Sequence, residues 1–259
     1  MQELLERRFT RVGADVQVVQ DARATSVGMN GDRFVICLAA GCEAEVVHLD
    51  AKGRHLLLMT REGETKAKFL CGHDERHWFV AAVPERAAAK TVREAMIALQ
   101  PLELQEALKK VRRKKRARRH NEAFVRQGEW FFIPVPDFDP AEHRGAVLEG
   151  YAPISRGWQS TPHIVRELCR YGGVTEYHVS GRIDGRRGRR IMSADEWNRL
   201  SAADRRECSA RMTTRDATVH VRGAVSHPDH ATITLAGWHR VRMNTENEAA
   251  AMRHVAFYD

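Results

Sequence analysis

Between residues 16 and 83 the apolar positions come in short runs, broken by turns rich in glycine and acidic residues. The runs at 16–19, 33–38 and 45–49 are strand-like. Asp50-Ala-Lys-Gly53 separates 46–49 from 55–59 and predicts a hairpin. Arg61-Glu-Gly-Glu-Thr65 is a second turn, leading into 66–70, and 78–83 is one more strand, closed by Pro84. The expectation is a region of about six mostly antiparallel strands. A short helix over 1–11 precedes it, with Leu4, Leu5 and Phe9 turned inward.

The period then changes. Val92, Ala95, Met96, Leu99, Leu102, Leu104, Ala107, Leu108 and Val111 recur mostly at helical spacings. Pro101 lacks a backbone donor and is expected to kink or split this segment. Beyond Val111 the apolar face fades into a run that is basic on every side. That predicts an exposed helical extension or linker, because a helix polar all round does not pack into a core. The second half opens with a buried strand at 130–133, ended by Pro134, Pro136 and Pro140. Residues 137–162 read as loop. Thr161-Pro162 before 164–171 and Gly172-Gly173 after it have the form of helix start and stop signals. A strand at 174–180 and a basic loop at 181–190 follow. Ser193-Ala-Asp-Glu196 is a capping box that predicts a helix over 194–208. Residues 217–244 read as two strands around a turn, and the tail from Glu246 as polar or weakly helical. The fold expected is α+β. A mostly antiparallel β N-terminal region (1–88) is joined by a basic helical connector (89–122) to a compact β-rich C-terminal domain with inserted helices (123–259).

Composition narrows the class. The chain has 259 residues, 43% of them hydrophobic, enough for one large domain or two small ones. No apolar run approaches the roughly 20 residues that span a bilayer. MQELLERRFTRV lacks the apolar centre of a signal peptide, so a cytoplasmic location and no membrane partner are expected. Five cysteines, with no C-x-x-C pair, argue against a disulfide framework and a four-cysteine zinc site.

The net charge of +8 is concentrated. Residues 109–120, KKVRRKKRARRH, hold nine cations and no acid; subtracting them leaves −1. A further +4 lies in RIDGRRGRR at 182–190, leaving −5 elsewhere. Such runs neutralise phosphates and release counterions. Lys109, Lys110, Arg112, Arg113, Lys114, Lys115, Arg116, Arg118 and Arg119, with Arg186, Arg187, Arg189 and Arg190, are therefore candidate nucleic-acid contacts. Gly185 and Gly188 would ease approach to a backbone, and Trp130, Trp158 and Trp197 are candidate stacking faces. The absence of zinc-finger, RNP and P-loop patterns favours backbone contact, to RNA or single strands, over base reading. The same connector suits docking to an acidic protein, as in a structural adaptor of a bacterial or phage-related assembly.

Catalytic chemistry would sit in 217–244, which holds His220, His227, His230 and His239. Imidazoles three apart diverge on a strand but converge in a turn, and Pro228-Asp229 supplies one. His227 and His230, with His163 and His239, are candidate ligands of a divalent transition metal, zinc before others. Asp229 is a candidate catalytic base. An open metal position would activate water, making a hydrolase or nuclease the alternative to a binding protein. Cys71-Gly-His73-Asp-Glu-Arg-His77 is a second cluster at an expected hairpin tip. It is either a metal or Cys/His site or a salt-bridged turn.

Arg126-Gln-Gly-Glu-Trp-Phe-Phe-Ile-Pro134, taken with His227-x-x-His230, Ile233-x-Leu235 and Gly237-Trp-His-Arg-Val241, resembles a group of uncharacterised bacterial and phage proteins. Those open with Arg-Gln-Gly-Asp, hydrophobics and proline, and close with His-x-x-His and an apolar strand. The resemblance covers the second half only and implies a compact β fold without an attached activity. Glu129 replaces the aspartate, and 181–216 is an insertion.

Overall fold

The computed structural model describes residues 1–155, 160–183, 186–250, 252 and 255–257, the side chains of Gln105, Arg186 and 255–257 excepted. The fold is α+β, rich in strand and mostly antiparallel. The chain begins with α1 (Gln2–Thr10), β1 (Asp15–Ala22), β2 (Ser26–Asn30), β3 (Arg33–Ala39), β4 (Glu43–Asp50), β5 (His55–Glu62), β6 (Thr65–Asp74) and β7 (His77–Val83). Strands β4 to β7 form an antiparallel meander, while β1, β3 and β2 make a second sheet in which β1 and β3 run parallel. Side chains alternate across a strand, so β5 serves two cores. Its Leu56 and Leu58 pack with Phe34, Ile36, Leu38 and Phe69, and its Leu57 with Leu70, Val83 and the helix beyond. That is why 55–59 is apolar at nearly every position. On α1, Leu5 and Phe9 enter the first core, but Leu4 is exposed.

That covering helix is α2 (Val92–Ala98), started by a complete Thr91–Glu94 capping box. Pro101 ends the helical path, and α3 (Gln105–Lys110) resumes it for six residues. The connector is not the exposed helix expected. Its backbone turns extended at Val111, and Leu104, Leu108 and Val111 bury against Ala123, Phe124 and Phe131. Three apolar anchors suffice to fold the basic run back onto the body.

The second half contains β8 (Val125–Gln127), β9 (Trp130–Pro134), β10 (Val147–Ile154), β11 (His163–Tyr171), β12 (Val174–Ile183), β13 (Arg186–Ser193), α4 (Ala194–Arg199), α5 (Ala202–Arg206), β14 (Cys208–Arg215), β15 (Thr218–His227) and β16 (His230–Met243). Six of these strands form one antiparallel sheet, ordered β10-β11-β15-β16-β9-β8, around Phe132, Val165, Leu168, Val221, Val225 and Leu235. The sheet rolls up far enough for Gln127 on edge strand β8 to donate to the Ala231 carbonyl at 2.6 Å. Between β11 and β15 the chain makes a separate sheet, β13-β12-β14, with α4 packed on it.

Three expectations change here. Residues 164–171 belong to a strand, not a helix. The strand pairs with β10 on one side and β15 on the other, and that pairing overrides the helix start and stop signals of Thr161-Pro162 and Gly172-Gly173. Gly172 and Gly173 then make the tight turn into β12 rather than a helix stop. Gly173 has φ +82°, and a Cβ there would lie 2.6 Å from the Arg215 carbonyl oxygen. The expected loop at 137–162 contains β10, an edge strand that accommodates Pro153. The expected helix over 194–208 is two short ones, because Ser201 caps a new start, and Cys208 already belongs to β14.

The C-terminal residues return to the first half. Thr245 donates from its amide to the Leu99 carbonyl (3.1 Å) and from its hydroxyl to the Ala98 carbonyl (2.8 Å). The last strand, β17 (Val255–Phe257), pairs with β2 in parallel. The expected division at residue 123 is therefore crossed by the tail. No helix among the described residues is long and apolar enough to cross a membrane.

Candidate metal centre

Three adjacent strands of the six-stranded sheet end at the same place. His163 begins β11, His227 ends β15 and His230 begins β16, opposite His227 in register. The Pro228-Asp229 turn is what lets two imidazoles three residues apart share a face. One ring nitrogen from each of the three lies within 4.8 Å of the other two. The rings of His163 and His227 stack at 4.3 Å, and that of His230 is 5.6 Å from His163 and 5.0 Å from His227. This cluster can hold a metal ion.

Burial favours neutral imidazoles at His163 and His230. His163 is buried, and neither of its ring nitrogens has a hydrogen-bond partner in the protein. Burial first, then the neighbouring His227 and His230, lowers its pKa to about 3. Burial likewise lowers His230, against the opposing pull of Glu75, whose carboxylate is 3.5 Å from Nδ1. His227 Nδ1 accepts from the Asp229 amide at 3.1 Å, and its Nε2 lies 3.3 Å from the Thr161 carbonyl oxygen. Gly128, at φ +57°, closes one side. A Cβ there would lie 2.9 Å from His230 Nε2 and 3.6 Å from His163 Nε2.

The second sequence cluster meets the first. The β6–β7 turn brings Asp74, Glu75, Arg76 and His77 onto the histidine hairpin. Glu75 accepts from the Ala231 amide at 2.7 Å, Arg76 donates to the Pro228 carbonyl at 2.8 Å, and His77 Nε2 is 3.2 Å from Asp229 Oδ1. Arg119, from the basic connector, pairs with both Asp74 and Glu75, and Arg126 lies 3.4 Å from Asp74. Beside this junction is a cavity of about 250 Å³. Leu99, Phe79 and Phe131 form its apolar wall, and Arg126, Glu129 and Asp229 its polar side.

Other expected site residues fall elsewhere. His239 is on β16 opposite Val221, buried away from the cluster, with Nδ1 2.7 Å from the Gly237 carbonyl oxygen. Cys71 faces the first core, and burial pushes its thiol far up, so it is no thiolate partner for His73 or His77. Of the nine connector cations, four are engaged internally. Arg119 is paired as above, Lys109 binds Glu106, Lys115 binds Glu122, and Arg116 donates to the Val111 and Lys109 carbonyls. Lys110, Arg112, Arg113, Lys114 and Arg118 are exposed and in no ion pair among the described residues. In place of the expected loop at 181–190, residues 181–183 end β12 and 186–190 begin β13. Arg187 and Arg189 are exposed, Arg190 binds Glu196 at 3.0 Å, and the side chain of Arg186 lies outside the described set. Trp197 stacks on Tyr177, Trp130 is half-buried, and Trp158 and Gly185 lie outside the described residues.

Sequence reasoning missed Glu75 and Gly128 as parts of this site. In the sequence the first reads as a candidate donor of the separate Cys71–His77 cluster, and the second only as a turn glycine. No family model, curated protein or solved structure matches the chain.

Proposed function

We propose that the protein is a metal-dependent hydrolase of phosphodiesters, acting on a polynucleotide, with zinc held by His163, His227 and His230. The observation that carries this reading is the convergence of three imidazoles from adjacent strands, one of them buried with both ring nitrogens unpartnered in the protein. An unsatisfied buried polar group costs about 1–3 kcal/mol, and a ligated ion offsets that. Three neutral imidazoles with a remaining open position are a ligand set of catalytic zinc, which supplies a Lewis acid and a water of lowered pKa.

The residues around the cluster have distinct parts. Glu75 lies 3.5 Å from His230 Nδ1, where its charge favours a ligating ring and where a small shift would let it accept the Nδ1 proton, as carboxylates commonly do behind ligating histidines. Asp229 lies between His77 and His227, close enough to the ligands to accept a proton from an attacking water. Arg126 lines the cavity with its Nε unpartnered in the protein, a donor for a phosphoryl oxygen. Arg76, Arg119 and Arg126 face Asp74, Glu75, Glu129 and Asp229, and Glu246 lines the same cavity, so acids outnumber arginines by two. A divalent ion offsets that excess and makes the site receptive to phosphate.

The test is metal content and turnover together. Zinc-equilibrated, dialysed protein is expected to retain about one equivalent and to cleave a fluorescent oligonucleotide or bis(p-nitrophenyl) phosphate. His163→Ala should lose the metal, and activity by about 100-fold or more. Metal below about a tenth of an equivalent, or full activity in His163→Ala, would refute the assignment.

A further inference from the structure

The cavity beside the histidine cluster has two unlike sides. Its apolar wall is drawn from two sheets, with Leu70 and Phe79 from the β4–β7 meander, Phe131 from β9, and Leu99 from the end of α2. Its polar side holds Arg126, Glu129 and Asn244, and His230 lines it as well, so the cavity reaches the cluster. Glu129 is half-buried, and its carboxylate is in no hydrogen bond or ion pair among the described residues, although its charge is felt by His230. Asn244 stands next to it, because the Asn244 amide donates to the Glu129 carbonyl at 2.8 Å. The side-chain oxygen of Asn244 accepts from the Glu246 amide at 3.4 Å, and its NH2 group has no acceptor among the described residues. A carboxylate and an amide donor thus sit side by side, held by paired backbone. At about 250 Å³ the cavity falls below the range of about 300–1,000 Å³ that holds drug-sized ligands, which leaves room for one flat ring system.

We propose that this cavity takes one unpaired guanine base of the polynucleotide and so sets the adjoining phosphodiester at the histidine cluster. An ionised carboxylate only accepts, through two oxygens. Guanine is the base that sets two donors side by side, N1–H and N2–H2, with the O6 acceptor next to them for the Asn244 amide. Adenine, cytosine and thymine each turn an acceptor towards one of the carboxylate oxygens, which leaves a buried polar group unpaired. A base is uncharged, so the excess of acids at the junction does not repel it as it would a second phosphate. Phe79 and Phe131 offer it aromatic faces. A base in a duplex has to swing out of the stack to enter such a pocket, which favours single strands. Arg126 remains for the phosphoryl oxygen. The proposal rests on the polynucleotide part of the function proposed above, but not on the metal.

The experiment is a titration of the full chain, in chelator and at low salt, with three fluorescent oligothymidylates of equal length. Their central base is guanine, hypoxanthine or thymine. All three carry the same number of phosphates, so backbone contacts cancel in the comparison. The guanine strand should bind about tenfold more tightly than the thymine strand, and hypoxanthine, which lacks the N2 amino group, should lose most of that gain. Glu129→Gln exchanges one acceptor for a donor and should erase the guanine preference while keeping the wild-type circular dichroism. Annealed to their complements, the three should bind alike. An 8-azidoguanine at the centre, photo-crosslinked to the wild type, should label 78–81 or 126–131. No binding of any strand overturns the polynucleotide reading, and this proposal with it. Equal affinity for guanine and thymine overturns the pocket alone. So does a guanine preference that survives in Glu129→Gln or in the duplexes, or labelling confined to 109–119. Because chelator is present throughout, failure of the metal reading leaves this result standing.

Discussion

At the scale of single residues, the centre depends on how little room surrounds the imidazoles. Gly128→Ala places a methyl 2.9 Å from His230 Nε2 and asks an alanine to hold φ +57°. The conformation alone costs about 1–2 kcal/mol, and the contact displaces His230 from its neighbours. The variant is expected to fold with a lowered melting temperature and to bind zinc at least about tenfold more weakly by competition with a chromogenic chelator, as happens when a ligand's support is removed. A second histidine reports on acid stability. Burial first, then His143 and Arg242, lowers His220 to about 4, and its ring stacks on Phe138 at 3.8 Å. The unfolded chain takes up this proton near pH 6.5, before the native state does. The stability that neutral His220 contributes is thus present above 6.5 and is lost as pH falls towards 4, up to roughly 3 kcal/mol over that window. Urea melts of His220→Gln should show a shallower acid limb than wild type, and parallel limbs would contradict the assignment. His227 and His230 were legible in the sequence because a Pro-Asp turn between two imidazoles has a definite consequence. His239 looked equivalent by proximity in the chain, but a long strand carries it away to a position opposite Val221.

At the scale of elements, the connector makes the sharpest case. Its charge was legible and its path was not, because the anchors that fold it back lie on both sides of the basic run and one partner, Phe131, is on a later strand. Leu108 distinguishes the two pictures. In an exposed helix Leu108→Ala is nearly neutral, since alanine is the better helix former. Buried against Phe124 and Phe131, its loss is expected to cost about 2–5 kcal/mol and to speed tryptic cleavage at the exposed Arg112, Arg113 and Lys114. The thermal melt and the digest together check this. The capping box at Ser193 was read correctly at its start, because the whole signal lies within four residues. Strand β11 was misread because Thr161-Pro162 and Gly172-Gly173 have the form of helix end signals, whereas the strand is fixed by pairing with β10 and with the distant β15.

At the scale of the molecule, both halves contribute to one junction, although more than 150 residues separate the paired groups in the chain. No local pattern joins Glu75 to Ala231 or Arg119 to Asp74; only the folded arrangement of two sheets does. This gives metal binding a thermodynamic reach beyond its ligands. Zinc at about 100 times its dissociation constant adds about 2.7 kcal/mol to the native state, if it binds the folded protein alone. For a chain of this size that corresponds to roughly 5–10 °C. Because Glu75 touches His230 and the Ala231 amide, and β17 ties the C-terminus back to β2, the gain is expected in a single calorimetric transition covering both halves. Glu75→Ala removes one of the three links between the β6–β7 turn and the histidine hairpin, the one beside the metal cluster, and leaves all three imidazoles in place. Its transition should broaden or split, with zinc raising only the upper part. A Glu75→Ala protein that still melts in one step, with the full zinc shift, would mean that the halves are coupled through the tail and the connector rather than through the metal site.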